Sequence, residues 1–473
     1  MTITRATVGA VVLAGAVAVT AQAADPGNLR AGASRVEYTK LTPPPATPPS
    51  GKYEHERLFV RAIVVDNGSM RAALVSVDGS APATARGRVA EQLKCPIENV
   101  ILSGTHSHSA GMSGGAGTRP LSQPGAAPPP QSQGPSPLDD VVVDAVRQAA
   151  ARLQPARLGY GTGLCYLNVN RDAINPKTRL WTQGANPTAP SDKTVAVLKF
   201  ESPAGEPIAL YVNYAMHPVN LYLGGITSAD YPGAMARYIE QIYDDRVVVA
   251  FSQGAEGDQN PLYLRPSTVA MLRRGGQDYA GQPLVREEVE AEIREERRPM
   301  VPLTQKTADD IERWIEAEGM LLAEEVLRVS QSVTATDGSA RIAGAQRTIS
   351  CPGRTRTNVG REGQPGTYTD GPDVNILLGV LGIGDVGLAY TQGEVYNAVA
   401  QQLKAKSPLA RTVFVGLANG QANSGYIPTD DAFGRYTFQV LGSRLKPGCA
   451  ETSIQDAMLD MLTRYATGVA GHN

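Results

Sequence analysis

The chain has 473 residues, 42% of them apolar and 19% charged, and a net charge of −2. That length supports one large domain or two to three ordinary ones, and a balanced charge with no basic stripe argues against a nucleic-acid partner. Six Phe and two Trp give little support for an aromatic cage or stacking platform.

The N-terminus reads as a targeting segment. Arg5 precedes an apolar stretch, Val8–Val19, which runs into Ala21-Gln22-Ala23-Ala24. A positive start, a short apolar core and an A-x-A site predict a signal peptide, residues 1–23, cleaved after Ala23. The apolar core falls short of the roughly 20 residues that span a bilayer. The mature chain, 24–473, is expected to be exported, to the periplasm or beyond the cell. Cys95, Cys165, Cys351 and Cys449 show no C-x-x-C spacing. In an oxidising compartment they admit one or two disulfides, and three pairings or buried free thiols all stay open.

A Pro-rich lead-in, Leu41–Ser50, precedes regular structure. Leu58–Val65 and Ala72–Val77 predict strands, parted by the turn signal Asp66-Asn67-Gly68. Thr84–Leu93 predicts a helix with Thr84 as its N-cap, and Asn99–Ser103 a buried strand. The segment 113–137, rich in Gly, Pro, Ser and Gln, is too long for a simple connection. It reads either as a lid over the neighbouring histidines or as a passive insertion. It ends in Ser136-Pro137-Leu138-Asp139, which supplies a cap, a Pro at the first helical position and an acidic third position for a helix to Leu153. Ile208–Met216, Val386–Thr391 and Thr412–Leu417 read as strands. Arg286–Arg298 reads as a solvated, charge-dense helix. Ala308–Val329 places Ile311, Ile315, Leu322 and Val326 at helical spacing. The alternation predicts an α/β fold: mixed sheets covered by helices in a single large domain, with the site at the C-terminal ends of strands.

Five histidines occur in the chain, and two lie in Ser103-Gly104-Thr105-His106-Ser107-His108-Ser109. At the end of an extended strand, positions i and i+2 point to one face, so both imidazoles are expected at one site. Other strands end in His217-Pro218 and Gly393-Glu394, and a third leads through a polar loop to Tyr426. Two imidazoles and a carboxylate make a zinc set with a position left for water, and a tyrosinate adds a fourth protein ligand. Each residue also has a plainer role: His217 as a hydrogen-bonded core residue, Glu394 as an acid at a helix N-terminus, Tyr426 as packing. HExxH and P-loop motifs are absent.

Taken together these segments resemble the neutral, non-lysosomal ceramidases, zinc amidases that cleave the N-acyl bond of ceramide. The family's G-T-H-T-H-S motif is similar to Gly104-Thr105-His106-Ser107-His108-Ser109, and its His-Pro motif to Tyr214-Ala215-Met216-His217-Pro218. Its Gly-Glu-Phe and Gly-Tyr-Val-x-Thr elements resemble Gly393-Glu394-Val395 and Gly425-Tyr426-Ile427-Pro428-Thr429. Its Asn-Arg pair looks like Asn170-Arg171, and its early strand pair resembles Arg61-Ala62 and Val65-Asp66-Asn67-Gly68. The resemblance implies Zn²⁺ held by His106, His217, Glu394 and Tyr426. It places His108 and Arg171 at the reaction centre, with Tyr436 as the match to a second family tyrosine at shorter spacing. It implies hydrolysis of a ceramide-like N-acyl amide by metal-activated water, with transient contact at a membrane surface. Where the family has Gly-Asp-Val-Ser-Pro-Asn, this chain has Gly257-Asp258-Gln259-Asn260-Pro261-Leu262, so the serine's role is not carried over. The chain reads as the family's catalytic region without its C-terminal β-sandwich. Hydrolysis of another amide or ester, or exported zinc or ligand binding without turnover, are the competing readings.

Overall fold

The apolar runs pair into four main sheets. The first, in the order β4-β3-β2-β1-β5, comprises β1 (Arg30–Glu37), β2 (Phe59–Asp66), β3 (Arg71–Val77), β4 (Val100–Gly104) and β5 (Gln154–Pro155). The second, β11-β10-β9-β6, comprises β6 (Arg157–Leu164), β9 (Thr194–Glu201), β10 (Pro207–Tyr214) and β11 (Val248–Gln253). The third joins β7 (Asn168–Ile174) and β8 (Trp181–Asn186) to β12 (Gln259–Pro261) and β13 (Tyr279–Ala280). The fourth, β14-β15-β16-β18, comprises β14 (Ile342–Arg356), β15 (Tyr368–Ile383), β16 (Val386–Thr391) and β18 (Arg411–Val415). A short parallel pair, β17 (Glu394–Val395) with β19 (Tyr426–Ile427), completes the set. The pairs β3/β4, β10/β11 and β16/β18 are parallel and the other pairs in those three sheets antiparallel, so the sheets are mixed, as expected.

This computed structural model describes residues 29–42, 56–110, 136–221, 226–263, 279–280, 305–335, 338, 340–358, 362–420 and 422–468. The expected signal peptide, most of the Pro-rich lead-in, Arg286–Arg298 and nearly all of the 113–137 segment lie outside the described residues.

Period-two alternation explains the layering. Ile63 and Val65 of β2 enter a core shared with Leu198 and Tyr211 of the second sheet and Leu381 and Leu388 of the fourth. The intervening Ala62 and Val64 pack instead with Val89 of α1 (Ala85–Leu93) and Val142 and Val146 of α2 (Pro137–Ala151). On the outer face of the second sheet lie α3 (Asp230–Ile242) and α4 (Gln305–Ser332). The fourth is covered by α5 (Asn397–Lys406), α6 (Phe438–Gly442) and α7 (Ala450–Thr467). Strands buried on both faces read as near-continuous apolar runs. Arg61 interrupts the run in β2. It is buried, and it is tolerated because Asp78 Oδ2 and Glu240 Oε1 lie 3.2 and 3.1 Å away. That pairing ties β2 to α3 through charges that would be costly to leave alone.

Among the described residues, the expected strands and helices are found within three residues of their predicted ends. Thr84 is a correction: its backbone is already helical and its side chain makes no capping bond. At the start of α2, Ser136 Oγ donates to Asp139 Oδ1 at 2.8 Å. The β14–β15 hairpin was missed, because Gly344, Pro352 and Gly353 and several exposed positions break the apolar alternation. α3 was missed because Pro232 and Gly233 occupy its first turn.

Cys351 and Cys449 form a disulfide that joins β14 to the start of α7, and Cys95 and Cys165 are free thiols. The bridge closes a separation of 98 residues. Replacing both Cys351 and Cys449 by Ser is expected to cost roughly 2–5 kcal/mol, read as a lower denaturation midpoint. The Cys95→Ser variant is expected to leave reductant sensitivity unchanged.

Candidate metal centre

β4 ends at Gly104, where a Cβ would lie 2.3 Å from the Gly79 carbonyl. The chain then turns. Thr105 N–H donates to Val77 O at 2.8 Å and His106 N–H to Gly79 O at 2.9 Å. His106 adopts a left-handed backbone, φ 68°, a conformation rarely taken outside glycine and often found at functional sites. His108 N–H donates to Pro218 O at 3.2 Å. The two imidazoles do share a site, with Nε2 atoms 3.3 Å apart. The extended alternation expected from the sequence is not the cause; a kink beyond the strand end brings them together.

His217 follows β10 and is 1% exposed. Its backbone N–H and its ring Nδ1 both meet the Gln259 carbonyl, at 3.1 and 3.0 Å. With Nδ1–H donating there, Nε2 carries the lone pair toward the site. Glu394 Oε2 lies 3.0 Å from His217 Nε2 and 3.5 Å from His106 Nε2. Glu394 and Tyr426 are register partners in the β17/β19 pair, and the Tyr426 phenol interacts with both Arg171 and Glu394. Arg171 is buried, with its guanidinium carbon 5.3 Å from the centre of the Tyr426 ring. It donates to Gly257 O at 2.6 Å and to Asn260 Oδ1 at 3.1 Å. Asn260, standing where the resembled motif has serine, thus positions the arginine.

The structure therefore gathers His106, His108, His217, Glu394, Tyr426 and Arg171. The contacts around His106, His217 and Glu394 do not include Tyr436, whose carbonyl accepts from Gly363 N–H at 2.8 Å and whose phenol acts electrostatically on Arg354. Two acids were missed. Glu256 is fully buried and offers an oxygen to the group formed by His106, His217 and Glu394, with all four ligand atoms within 4.8 Å of one another. Asp258 accepts from Asn170 Nδ2 at 2.7 Å and from Asn397 N–H at 2.8 Å. The signal that found the other residues was available for these: an apolar strand, here β11, followed by a short Gly-containing loop.

Burial, reinforced by His106 and His217, pushes His108 well below the ordinary histidine value. Burial and the Arg171 charge lower His217 to about 4. Burial alone would raise Glu394, but His106 and His217 outweigh it and hold the carboxylate ionised. Burial and then the Glu394 charge push Glu256 the opposite way. Asp258 is raised to about 7 by burial and by Asp172. The donor set fits a divalent cation: converging imidazole Nε2 atoms, one of them oriented from behind by a carbonyl, and an ionised carboxylate between them.

The His217 shift has a consequence for the metal-free protein. Unfolded, its ring takes a proton near 6.5; folded, only near 4. Between those values the unfolded chain binds more protons, so stability falls as pH drops through that window. Metal-free melts at pH 5 are expected below those at pH 7.5, with a shallower pH slope in His217→Gln; an unchanged slope would contradict the assignment.

Residues 50–270 match the family described as neutral/alkaline non-lysosomal ceramidase, N-terminal. That stretch includes His106, His108, Arg171 and His217. A solved ceramidase complexed with C2 is similar over 94% of this chain and 76% of its own, with a TM-score of 0.65 and 16% identity. Neutral ceramidase from Pseudomonas aeruginosa is similar over 95% of this chain and 76% of its own, with a TM-score of 0.62 and 17% identity. These likenesses establish the α/β fold of mixed sheets and covering helices. The sequence match and the motif order tie residues 50–270 to the neutral/alkaline non-lysosomal ceramidase family, and the structural likenesses extend the shared fold over 94–95% of the chain.

Proposed function

We propose that this chain is a zinc-dependent amidohydrolase that cleaves the N-acyl bond of a ceramide-like lipid, giving a fatty acid and a sphingoid base. The observation that carries the reading is the convergence of His106, His217 and Glu394 on one buried point, with His108 and Arg171 beside it. His106 Nε2, His217 Nε2, the Glu394 carboxylate and the Tyr426 phenol oxygen would hold the cation. A cation there would polarise the amide carbonyl and lower the pKa of a bound water.

The chain's own groups do the rest. His108 stays neutral near pH 7, so its imidazole can accept the nucleophile's proton and return it to the leaving amine. Arg171, fixed by the Gly257 carbonyl and Asn260, offers a positive charge for the developing oxyanion without reorganisation. Tyr436 is retained as a candidate second donor on family resemblance alone. The substrate class rests on the family and on neighbours that include a ceramidase complexed with C2. Export of the mature chain is supported by the signal-like N-terminus and by the Cys351–Cys449 bridge. Among the described residues no helix is long and apolar enough to cross a membrane.

Incubation with ceramide and with short N-acyl amides, analysed by mass spectrometry, is expected to release fatty acid and free amine. Cleavage of other amides or esters alone would replace ceramide as the substrate, and a lack of turnover in metal-loaded protein would favour a binding protein. His108→Ala is expected to keep its metal by elemental analysis and to lose roughly 10²–10⁴-fold in kcat, whereas His217→Ala is expected to lose the metal.

A further inference from the structure

The loop between β11 and β12 carries a carboxylate to which the reading above gives no role. Neither oxygen of Glu256 has a hydrogen-bond partner among the described residues, and the side chain is fully buried. An ionised carboxylate left alone in an interior is costly, so this one ionises only if a positive centre is placed against it. One of its oxygens lies within 4.8 Å of the ligand atoms of His106, His217 and Glu394. The backbone holds the loop on both sides of the residue. Gly254 N–H donates to Tyr214 O at 2.9 Å, Gly257 N–H to Val395 O at 2.9 Å, and Gln259 N–H to Glu256 O at 2.8 Å. Gly416 lies against the carboxylate, where an added Cβ would sit 3.3 Å from Oε2. The side chain is confined to the site.

Two carboxylates facing the same imidazoles repel each other unless a positive centre lies between them. We propose that Glu256 is a further ligand of the cation held by His106, His217 and Glu394, so that the centre contains two imidazoles and two carboxylates. This rests on the metal-centre reading above. With Tyr426 the protein would offer five donors, more than a tetrahedral zinc site accepts. Such a set suits five- or six-coordinate cations, and the added oxygen shifts its preference toward harder dications such as Mn²⁺.

The test uses metal-stripped full-length wild type, Glu256→Gln, Glu256→Ala and His217→Ala. Each is titrated with Zn²⁺ and with Mn²⁺ in competition with a chelator, and its metal-free thermal melt is recorded. The glutamine reproduces the shape of a protonated Glu256 but not a carboxylate ligand. Both Glu256 variants are expected to lose roughly 100-fold in Mn²⁺ affinity and about 10-fold in Zn²⁺ affinity. The metal-free Glu256→Gln protein is expected to melt at or above the wild-type temperature. Unchanged affinity for both metals in Glu256→Gln overturns the proposal and leaves the His106–His217–Glu394 site standing, provided His217→Ala loses binding. A lower metal-free melting temperature with unchanged affinity also overturns it and makes Glu256 a structural residue. Wild type that binds neither metal overturns the metal-centre reading and this inference together.

Discussion

The centre depends on one backbone contact, the hydrogen bond from Gly257 N–H to the Val395 carbonyl at 2.9 Å. It presses the loop after β11 against β17 so closely that a Cβ at residue 257 would come within 2.7 Å of the Glu394 carbonyl. Only glycine fits there. The same residue's carbonyl accepts from Arg171, and two residues later the Gln259 carbonyl receives both the backbone and the ring of His217. One short loop therefore orients a carboxylate, a guanidinium and an imidazole delivered by three separate sheets. Moving this loop would disturb all three together.

That arrangement suits chemistry in a dry site. His217 and Arg171 are buried with their orientations fixed mainly by the Gln259 and Gly257 carbonyls, which do not change protonation state. Where a side chain does the fixing, as Asn260 does for Arg171, it too is a neutral amide. The field at the centre is thus set largely before any substrate arrives, the condition under which electrostatic stabilisation is most effective. The left-handed backbone at His106 is part of this cost, tolerated because Gly79, Val77 and Thr105 hold the turn on each side.

Much of this layout was legible in the sequence because apolar strands ending in a single polar residue leave a plain pattern. β16 was read at its exact limits, and His106, His217 and Glu394 were placed at strand ends, where they are found. The close pairing of His106 with His108 was also anticipated, but from strand alternation, whereas a kink produces it. Glu256 and Asp258 follow the apolar strand β11 in the same way, but as acids in a Gly-rich loop they read as solvated, and their burial shows only in the fold. The β14–β15 hairpin escaped because its glycines and exposed outer positions hide its period. The disulfide partners could not be chosen, since pairing depends on how β14 meets α7, a contact between residues 98 apart.

The histidine-bearing strand has a further dependence. β4 is the edge of its sheet, and what meets that edge is residue 419: Leu102 N–H donates to Asn419 Oδ1 at 2.9 Å, and Asn419 N–H donates back to Leu102 O at 2.7 Å. The two partners are 317 residues apart. Until residue 419 docks, β4 is a bare apolar edge, open to pairing with any other strand nearby. The last quarter of the chain thus silences an aggregation hazard created in its first quarter, and the ligand-bearing turn takes its final form only when that late segment docks.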